Sequence, residues 1–268
     1  MLIDYEALPL LVRTAVSERT GEVRSAQSAG AGTNCVVAAL LDTASGPVFV
    51  KGLPSDHPGV ATQQKEAKIA PAVAEVSPGL LWHIELEGWD LLGFEAIEGG
   101  RHADYTPGSP DVPKVVALQD RLSNITCPPI PMYSAERRWG SMLNDPADAK
   151  QFAGSTLLHT DWHRWNVLVT GERAWLVDWA WATWGAAFID PALLVPRLIA
   201  AGHTPADAEG WAAKSAAWQK ADQSAVTLFS GAVARLLRKL ADDDAEGTWR
   251  RPLVEAAATW ATYRGAAV

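Results

Sequence analysis

The sequence predicts an α+β fold with a β-rich N-terminal half and a mainly helical C-terminal half. Short apolar runs separated by turn residues recur up to residue 95, which is typical of β-strands. From residue 189 onward the apolar residues follow helical spacing instead. Between them, Glu98-Gly99-Gly100 interrupts the strand pattern. We therefore expect one domain over residues 1–97 and a second over 98–268.

The first half is predicted to contain two helices and several strands. Residues 8–20 are expected to be helical, because Leu8, Leu11, Val12 and Val16 recur at spacings of three and four. A helix is also expected over residues 60–76. The predicted strands flank the small-residue turn at 25–34 and continue at 35–41, 47–51, 80–86 and 90–95.

The second half is predicted to be helical except for one hairpin. A helix is expected over residues 111–125, and two apolar runs at 166–170 and 174–178 predict two strands joined at Gly171-Glu172-Arg173. Helices follow from residue 189, with breaks expected near Gly202, near Gly231 and at the acidic turn 242–244.

The composition excludes several classes of protein. With 268 residues, 48% hydrophobic and 20% charged, the chain is long and apolar enough to bury a core, which opposes extensive disorder. A net charge of −8 opposes a nucleic-acid partner, since phosphate binding needs clustered Lys and Arg. Two cysteines give no disulfide framework. Without a signal peptide or a long apolar run, a cytoplasmic protein with no membrane partner is expected. The oligomeric state is not predicted.

The segment from His159 to Asn166 carries the strongest chemical signal. Asp161 lies five residues before Asn166, and a second acid, Asp178, ends the predicted hairpin. This layout is typical of phosphoryl transfer from a metal-bound nucleotide. Asp161 would orient and deprotonate a hydroxyl, while Asn166 and Asp178 would hold magnesium. The alternative is an Asx turn between two elements of secondary structure.

An upstream lysine fits the same chemistry. Lys51 closes a Val-Phe-Val-Lys strand and could bind the α- and β-phosphates, although a lysine there is often a solvated strand end. Glu66, in the middle of the predicted helix, is the candidate ion-pair partner, and Glu75 is its competitor. The glycines of the preceding turn, Gly30 and Gly32, would let backbone N–H groups approach phosphate oxygens. No Walker A sequence follows them.

Two other features of this region allow alternative interpretations. His159 and His163 stand four residues apart, as in zinc hydrolases, but Thr160 occupies the place of the catalytic Glu and no third ligand stands out. We expect His159 to pack beneath the loop and hydrogen-bond its backbone. A set of tryptophans could stack on a sugar or base, or form a hydrophobic wall around the hairpin, which is favoured. These are Trp162, Trp165, Trp175, Trp179, Trp181 and Trp184.

With these motifs in place, the chain resembles the aminoglycoside phosphotransferase family, relatives of the protein kinases. The family's His-Gly-Asp-x4-Asn loop corresponds to His159-Thr160-Asp161 followed by Asn166, and its metal aspartate to Val177-Asp178-Trp179, with Gly185 and Asp190 beyond. The resemblance is strongest over 155–195 and weaker over 28–100. There, Gly30, Lys51, Glu66 and a hinge at Phe94-Glu95-Ala96-Ile97 match in order.

The resemblance implies a bilobal protein-kinase-like fold with ATP between the lobes. It implies that Asp161 is the catalytic base, that Asn166 and Asp178 bind Mg²⁺, and that Asp190 is structural. The nucleotide contacts would come from Gly30, Gly32, Lys51, Glu66, Glu95 and Ile97.

Two departures from the family bear on the substrate. Thr160 replaces the usual glycine, and the stretch between residue 125 and His159 is short for the family. The last helix, with Arg250, Arg251 and Arg264, offers no acidic pocket for an aminoglycoside. The acceptor is expected to be a small-molecule hydroxyl, on an aminoglycoside, another antibiotic, a sugar or an amino alcohol. A peptide or protein Ser/Thr acceptor and a non-catalytic binding module are the alternatives.

Overall fold

The computed structural model describes residues 2–29, 35–243 and 251–267. One part of the chain is built on a β-sheet and the other is mainly helical, so the predicted α+β class is confirmed. The chain divides into two compact units. Unit 1 comprises residues 1–99 and 178–180, and unit 2 comprises 100–177 and 181–268. The short segment 178–180 therefore packs with residues that precede it by almost eighty positions or more in sequence.

Unit 1 contains a five-stranded sheet in which all neighbouring strands are antiparallel. The order is β1-β2-β3-β5-β4, which places β3 in the centre. The bounds are β1 Val23–Ser28, β2 Val37–Thr43, β3 Val48–Pro54, β4 Leu80–Leu86 and β5 Trp89–Glu95. The register sets Lys51 between Ala38 of β2 and Leu92 of β5. Lys51, which is predicted to bind phosphate, therefore lies on the central strand of the sheet, with paired strands on both sides.

The first helix, α1 (Leu10–Thr20), packs Val12 and Val16 into the core of this sheet, against residues such as Val50. The apolar spacing predicted that Leu11 would share this face, and that prediction is wrong, because Leu11 is 57% exposed. The helix begins after Pro9, and its buried face consists of Val12, Ala15, Val16 and Thr20, so Leu11 points away from the core. The second helix, α2 (Val60–Ile69), is shorter than predicted and continues as a short 3₁₀ turn.

Unit 2 is built mainly from helices, and helices α5, α8 and α9 pack against one another. The bounds are α3 Asp111–Ser123, α4 Ala135–Trp139, α5 Ile189–Ala200, α6 Pro205–Ala212, α7 Ala216–Gln219, α8 Gln223–Asp242 and α9 Arg251–Tyr263. Helix α5 ends just before Gly202, as predicted, and this glycine has φ at 106°. No helix in the described segments has the combined length and apolarity that a bilayer span requires.

The break predicted near Gly231 is wrong, because this glycine lies inside α8. A Cβ at this position would come within 2.8 Å of the carbonyl oxygen of Ala267. The glycine therefore marks a close approach between the helix and the C-terminal segment, and the sequence signal was a packing requirement rather than a helix end.

Two three-stranded sheets in unit 2 frame the segment from His159 to Asn166. The first has the order β10-β9-β6 and the second β7-β11-β8. Their bounds are β6 Arg101–His102, β7 Tyr133–Ser134, β8 Thr156–Leu158, β9 Val167–Val169, β10 Ala174–Leu176 and β11 Thr183–Gly185. The antiparallel β9 and β10 are the predicted hairpin. Strand β8 leads directly into the segment and β9 leads out of it, so both of its ends are fixed by strand pairing.

The glycine in the middle of β5 generates a stability prediction. Gly93 lies opposite Trp82 of β4, and a Cβ on Gly93 would overlap the indole ring. Gly93→Ala should therefore lower the free energy of unfolding by about 1–3 kcal/mol, the usual cost of overpacking. Denaturant titration measures this change.

Gly210 provides the matched control. It lies within α6, and a Cβ there would meet nothing within 4 Å. Gly210→Ala should raise the free energy of unfolding by roughly 0.5–1 kcal/mol through helix propensity. Equal effects of the two substitutions would contradict the packing of Trp82 over Gly93.

Candidate active site

Lys51 is buried rather than solvated at its strand end. Its side chain is 13% exposed, and its ammonium group forms an ion pair with the carboxylate of Glu66 on α2. The Glu66 side chain is 4% exposed, whereas the competing Glu75 lies on the surface. The structure therefore brings together Lys51 and Glu66, and the interpretation of Lys51 as a solvated strand end is wrong.

Asp178 joins this pair within unit 1. One of its carboxylate oxygens lies 3.6 Å from Lys51 Nζ. Its backbone adopts φ of 63°, a left-handed conformation that is costly for a residue with a side chain. The neighbouring residues hold it there: Trp179 donates its indole N–H to Ser77 Oγ at 3.1 Å, and Ala180 O accepts from Lys65 Nζ at 2.9 Å.

The cluster of Lys51, Glu66 and Asp178 contains two carboxylates and one ammonium, so a further cation would be favourable there. Burial alone would lower the pKa of Lys51, but the negative charges of Glu66 and Asp178 raise it above its ordinary value, so the ammonium stays charged. Two carboxylates then surround one ammonium, and the Asp178 side chain is still 28% exposed. A partly exposed carboxylate oxygen is a ligand that Mg²⁺ favours, so Asp178 fits the predicted metal role.

The other predicted nucleotide contacts are not placed with this cluster. Gly30 and Gly32 lie outside the residues that the structure describes. Glu95 of β5 pairs with Val48 of β3, which lies three positions before Lys51 and so roughly 10 Å away along the strand. Glu95 and Ile97 line a cavity of about 750 Å³ whose lining does not include Lys51. Their contacts with a nucleotide stay a prediction.

In unit 2, His159 supports the loop from below, as expected from the sequence. It is fully buried, and its Nε2 lies 3.0 Å from the carbonyl oxygen of Val177, which can only accept. The histidine must therefore donate from Nε2, while its Nδ1 accepts the backbone N–H of Asp161 at 3.3 Å. Both ring nitrogens are thus engaged. His159 and His163 belong to no metal-ligand cluster among the described residues, which opposes the zinc interpretation.

Asp190, at the start of α5, holds the backbone of the same loop. Its two carboxylate oxygens accept the N–H groups of His159 and Thr160, both at 2.9 Å. The carboxylate is 3% exposed, so these bonds form away from water and fix the loop firmly to α5.

Thr160 replaces a glycine of the family pattern and adopts φ of 67°, a region that favours glycine. Its hydroxyl compensates for this strain. Oγ1 donates to the carbonyl oxygen of Trp181 at 2.7 Å and accepts from Arg138 Nη1 at 2.6 Å. The same Arg138 nitrogen also reaches the hydroxyl of Thr183 at 3.0 Å. Burial lowers the pKa of Arg138 to about 10, which still leaves it charged at neutral pH.

Asp161 is held by two donors, one on each carboxylate oxygen. Asn166 Nδ2 donates to Oδ2 at 2.9 Å, and Arg197 Nη2 donates to Oδ1 at 3.1 Å. Asn166 also reaches the backbone carbonyl of Asp161 at 3.2 Å. The two predicted residues therefore interact through their side chains, which an Asx turn at either residue would not require. The carboxylate remains 28% exposed and keeps lone pairs for a further hydrogen bond.

The sequence did not identify Arg138 or Arg197. They lie 22 and 36 positions from the loop residues that they contact, and no local pattern marks them. A weak signal exists only for Arg197, which follows Asp190 by seven residues. Seven residues are about two turns of a helix, so Asp190 and Arg197 lie on the same side of α5, and both can reach the loop.

The tryptophans near the hairpin do not form a uniform hydrophobic wall. Trp162 and Trp179 are buried, as the wall interpretation requires. Trp165, Trp181 and Trp184 are 46%, 53% and 37% exposed, so for these three the wall interpretation is wrong. Trp165 belongs to the segment that carries Asp161 and is therefore available to contact a substrate.

Comparison with known proteins confirms the family resemblance. A model of the phosphotransferase enzyme family matches residues 134–229, which include the His159–Asn166 segment, Asp178 and Asp190. No protein with a curated functional description matches the sequence significantly.

Several solved structures share the fold at low sequence identity. A choline kinase from Streptococcus pneumoniae aligns with a TM-score of 0.63 and 13% identity, covering 94% of this chain and 98% of that one. A macrolide 2′-phosphotransferase from Brachybacterium faecium gives 0.56 and 15%, covering 93% and 98%. A mutant aminoglycoside phosphotransferase, solved with ADP and hygromycin B, gives 0.62 and 13%, covering 96% and 99%. The kinase-like phosphotransferase fold predicted from the sequence is therefore confirmed.

The bonding of Thr160 generates a second stability prediction. Thr160→Val keeps the branched shape and the unfavourable φ but removes the hydroxyl, so it should lower the free energy of unfolding by about 2–3 kcal/mol. Thr160→Gly also loses the hydroxyl but relieves about 1 kcal/mol of backbone strain. Denaturant titration should therefore find the glycine variant more stable than the valine variant.

Thr160→Ser is the matched control, because it retains the hydroxyl at the same backbone position. It should stay close to the original protein in stability. A valine variant as stable as the serine variant would show that the bonds to Trp181 and Arg138 do not hold the loop.

Proposed function

We propose that this protein is a Mg²⁺-dependent phosphotransferase that moves the γ-phosphoryl group of ATP to a hydroxyl of a small molecule. The observation that carries this proposal is the buried ion pair of Lys51 and Glu66 extended by Asp178. An ammonium held charged beside an accessible carboxylate is suited to bind nucleotide phosphates together with their metal ion.

The residues of unit 1 fit the nucleotide. Lys51 would donate to phosphate oxygens, Glu66 would keep the Lys51 ammonium in place, and Asp178 would supply a carboxylate ligand to Mg²⁺. Asn166 is the second ligand that the sequence predicts. The metal, when bound, stabilises negative charge on the phosphate oxygens. The aminoglycoside and choline kinase relatives support nucleotide use, since solved complexes among them contain ADP or AMP.

The residues of unit 2 fit the acceptor. The hydroxyl hydrogen-bonds to Asp161, whose orientation is set by Asn166 and Arg197. The hydroxyl oxygen forms a bond to the γ-phosphorus while the bond from that phosphorus to the bridging oxygen of ADP breaks. The electron pair leaves with ADP, and the proton passes to the Asp161 carboxylate.

A small-molecule acceptor is favoured over a polypeptide by the relatives. The structures that share this fold include kinases of choline, macrolides and an aminoglycoside. The reaction with labelled ATP tests this choice directly, because the label would appear on a small molecule rather than on a protein or peptide.

The role of Asp161 generates the test of the proposal. Asp161→Asn keeps the size of the side chain but removes its ability to accept a proton, so kcat should fall by about a hundredfold to ten-thousandfold. Its affinity for Mg-ATP should stay close to that of the original protein, since the residues assigned to the nucleotide are untouched. Steady-state kinetics and calorimetric titration of the same preparation measure the two effects.

Glu172→Gln is the control, because Glu172 is an exposed residue in the turn between β9 and β10. It removes one negative charge from unit 2 and should leave kcat unchanged. An Asp161→Asn variant with normal turnover would exclude Asp161 as the base.

A further inference from the structure

The acceptor side of Asp161 is shaped by a single helix. Asp190 at the start of α5 holds the loop backbone, and Arg197, seven residues later, reaches the side chain of Asp161. The two contacts fix both the loop and its catalytic carboxylate to the same rigid element. Arg197 therefore stands beside the place where an acceptor hydroxyl must approach.

The Arg197 guanidinium has more donors than the protein uses. A guanidinium carries five N–H donors, and in the described part of the chain Arg197 has one hydrogen bond, to Asp161. Its side chain is still 21% exposed, so donors remain available to a ligand. Arg101 in the same unit, by contrast, uses two nitrogens to bind both carboxylate oxygens of Asp111.

The guanidinium of Arg197 faces the carboxylate of Asp161, and a second arginine, Arg164, lies close enough that both arginines act on His163. Arg164 lies in the same loop as Asp161, with an exposed guanidinium 5.0 Å from the ring centre of Trp165. His163 does not add to the positive charge: burial, and then the charges of Arg197 and Arg164, lower its pKa to about 4. The histidine is therefore neutral at physiological pH, and the two arginines provide the positive charge.

The acidic groups nearby are each engaged with groups of the protein. Asp161 faces Arg197 but must also accept the acceptor hydroxyl. Asp190 directs its oxygens to the loop backbone, and Asp104 directs its oxygens to Thr106. The hydroxyl of Tyr105 bonds to the carbonyl oxygen of Trp162, and burial raises its pKa, so it is uncharged.

We infer that the acceptor carries an anionic group, a carboxylate or a phosphate, close to the hydroxyl that is phosphorylated, and that Arg197 binds this group. The inference rests on the proposed function and specifies its substrate class. A planar guanidinium pairs well with either anion, because two parallel N–H groups match two oxygens. When the acceptor binds, Arg197 holds the anion while the neighbouring hydroxyl bonds to Asp161.

The same geometry discriminates against polycationic acceptors. An ammonium group placed beside Arg197 would meet a like charge in a partly dehydrated site, which is strongly unfavourable. Glu209 on α6 does not offer a free carboxylate to an ammonium, because it is already paired with Arg264 at 2.7 Å. An aminoglycoside therefore fits this acceptor region less well than a hydroxy acid or a sugar phosphate.

A matched set of six-carbon probes tests the inference. Glucose is neutral, glucosamine is cationic, and gluconate and glucose 6-phosphate carry a carboxylate and a phosphate. Each probe is titrated into the protein, with and without Mg-ADP, and is then offered with Mg-ATP for phosphate transfer. The variants are Arg197→Gln, Arg197→Lys, and Arg137→Gln as the control. Arg137 is exposed and stacks on the ring of Tyr133.

We expect at least one anionic probe to bind the original protein about tenfold more tightly than glucose or glucosamine. Arg197→Gln should remove this preference and leave Mg-ADP affinity unchanged. Arg197→Lys should retain part of the anion preference, because lysine keeps the positive charge but lacks the two parallel N–H donors of the guanidinium. Arg137→Gln should behave like the original protein. Preference for gluconate over glucose 6-phosphate, or the reverse, identifies the anion.

Three outcomes would overturn the inference. These are tighter binding of glucosamine than of both anions, an anion preference that survives in Arg197→Gln, and the absence of binding by either anion at millimolar concentration. Failure of the proposed function looks different. In that case Mg-ADP would not bind and no probe would be phosphorylated, while the anion preference would still be measurable in the titrations without nucleotide.

Discussion

The burial of the Lys51 ammonium is the constraint on which this account depends. A charge in the interior of a protein is costly unless an opposite charge accompanies it, and removing one partner of such a pair is strongly destabilising. Glu66 supplies that partner, and it fixes α2 against the central strand of the sheet. Asp178 adds a second carboxylate at 3.6 Å, which exceeds what one ammonium needs. The surplus negative charge is the feature that suits a nucleotide-bound cation.

Backbone strain in the chain is concentrated where the chemistry is proposed. Among the described residues other than glycine, positive φ occurs at Glu87, Thr160 and Asp178. Glu87 belongs to the tight turn between β4 and β5, whereas Thr160 precedes the proposed base Asp161 and Asp178 is itself a proposed metal ligand. Thr160 is held by hydrogen bonds with Arg138 and Trp181. Asp178 is held through its neighbours Trp179 and Ala180, which bond to Ser77 and Lys65. Such strain persists only where surrounding contacts enforce it, which is typical of functional sites.

The sequence predicted those parts of the fold and site that are encoded locally. The hairpin, the strand of Lys51 and the buried histidine followed from periodicity, turn residues and motif spacing. Leu11 and Gly231 were misjudged because helix phase and close packing depend on what lies opposite, which a single sequence does not record. Arg138 and Arg197 were missed for the same reason, since their partners are distant in the chain. Under the proposed function, tertiary contacts of this kind would determine which hydroxyl compound the site accepts.

Calorimetric titration of the unmodified protein with ATP, with and without magnesium, tests the central claim most directly. We expect the metal to strengthen ATP binding at least about tenfold, because the carboxylate of Asp178 repels ATP alone but binds the cation that accompanies the nucleotide. Binding that is equally strong without magnesium would contradict the metal role of Asp178. Absence of binding at millimolar ATP would contradict the assignment of Lys51 and Glu66 to a nucleotide.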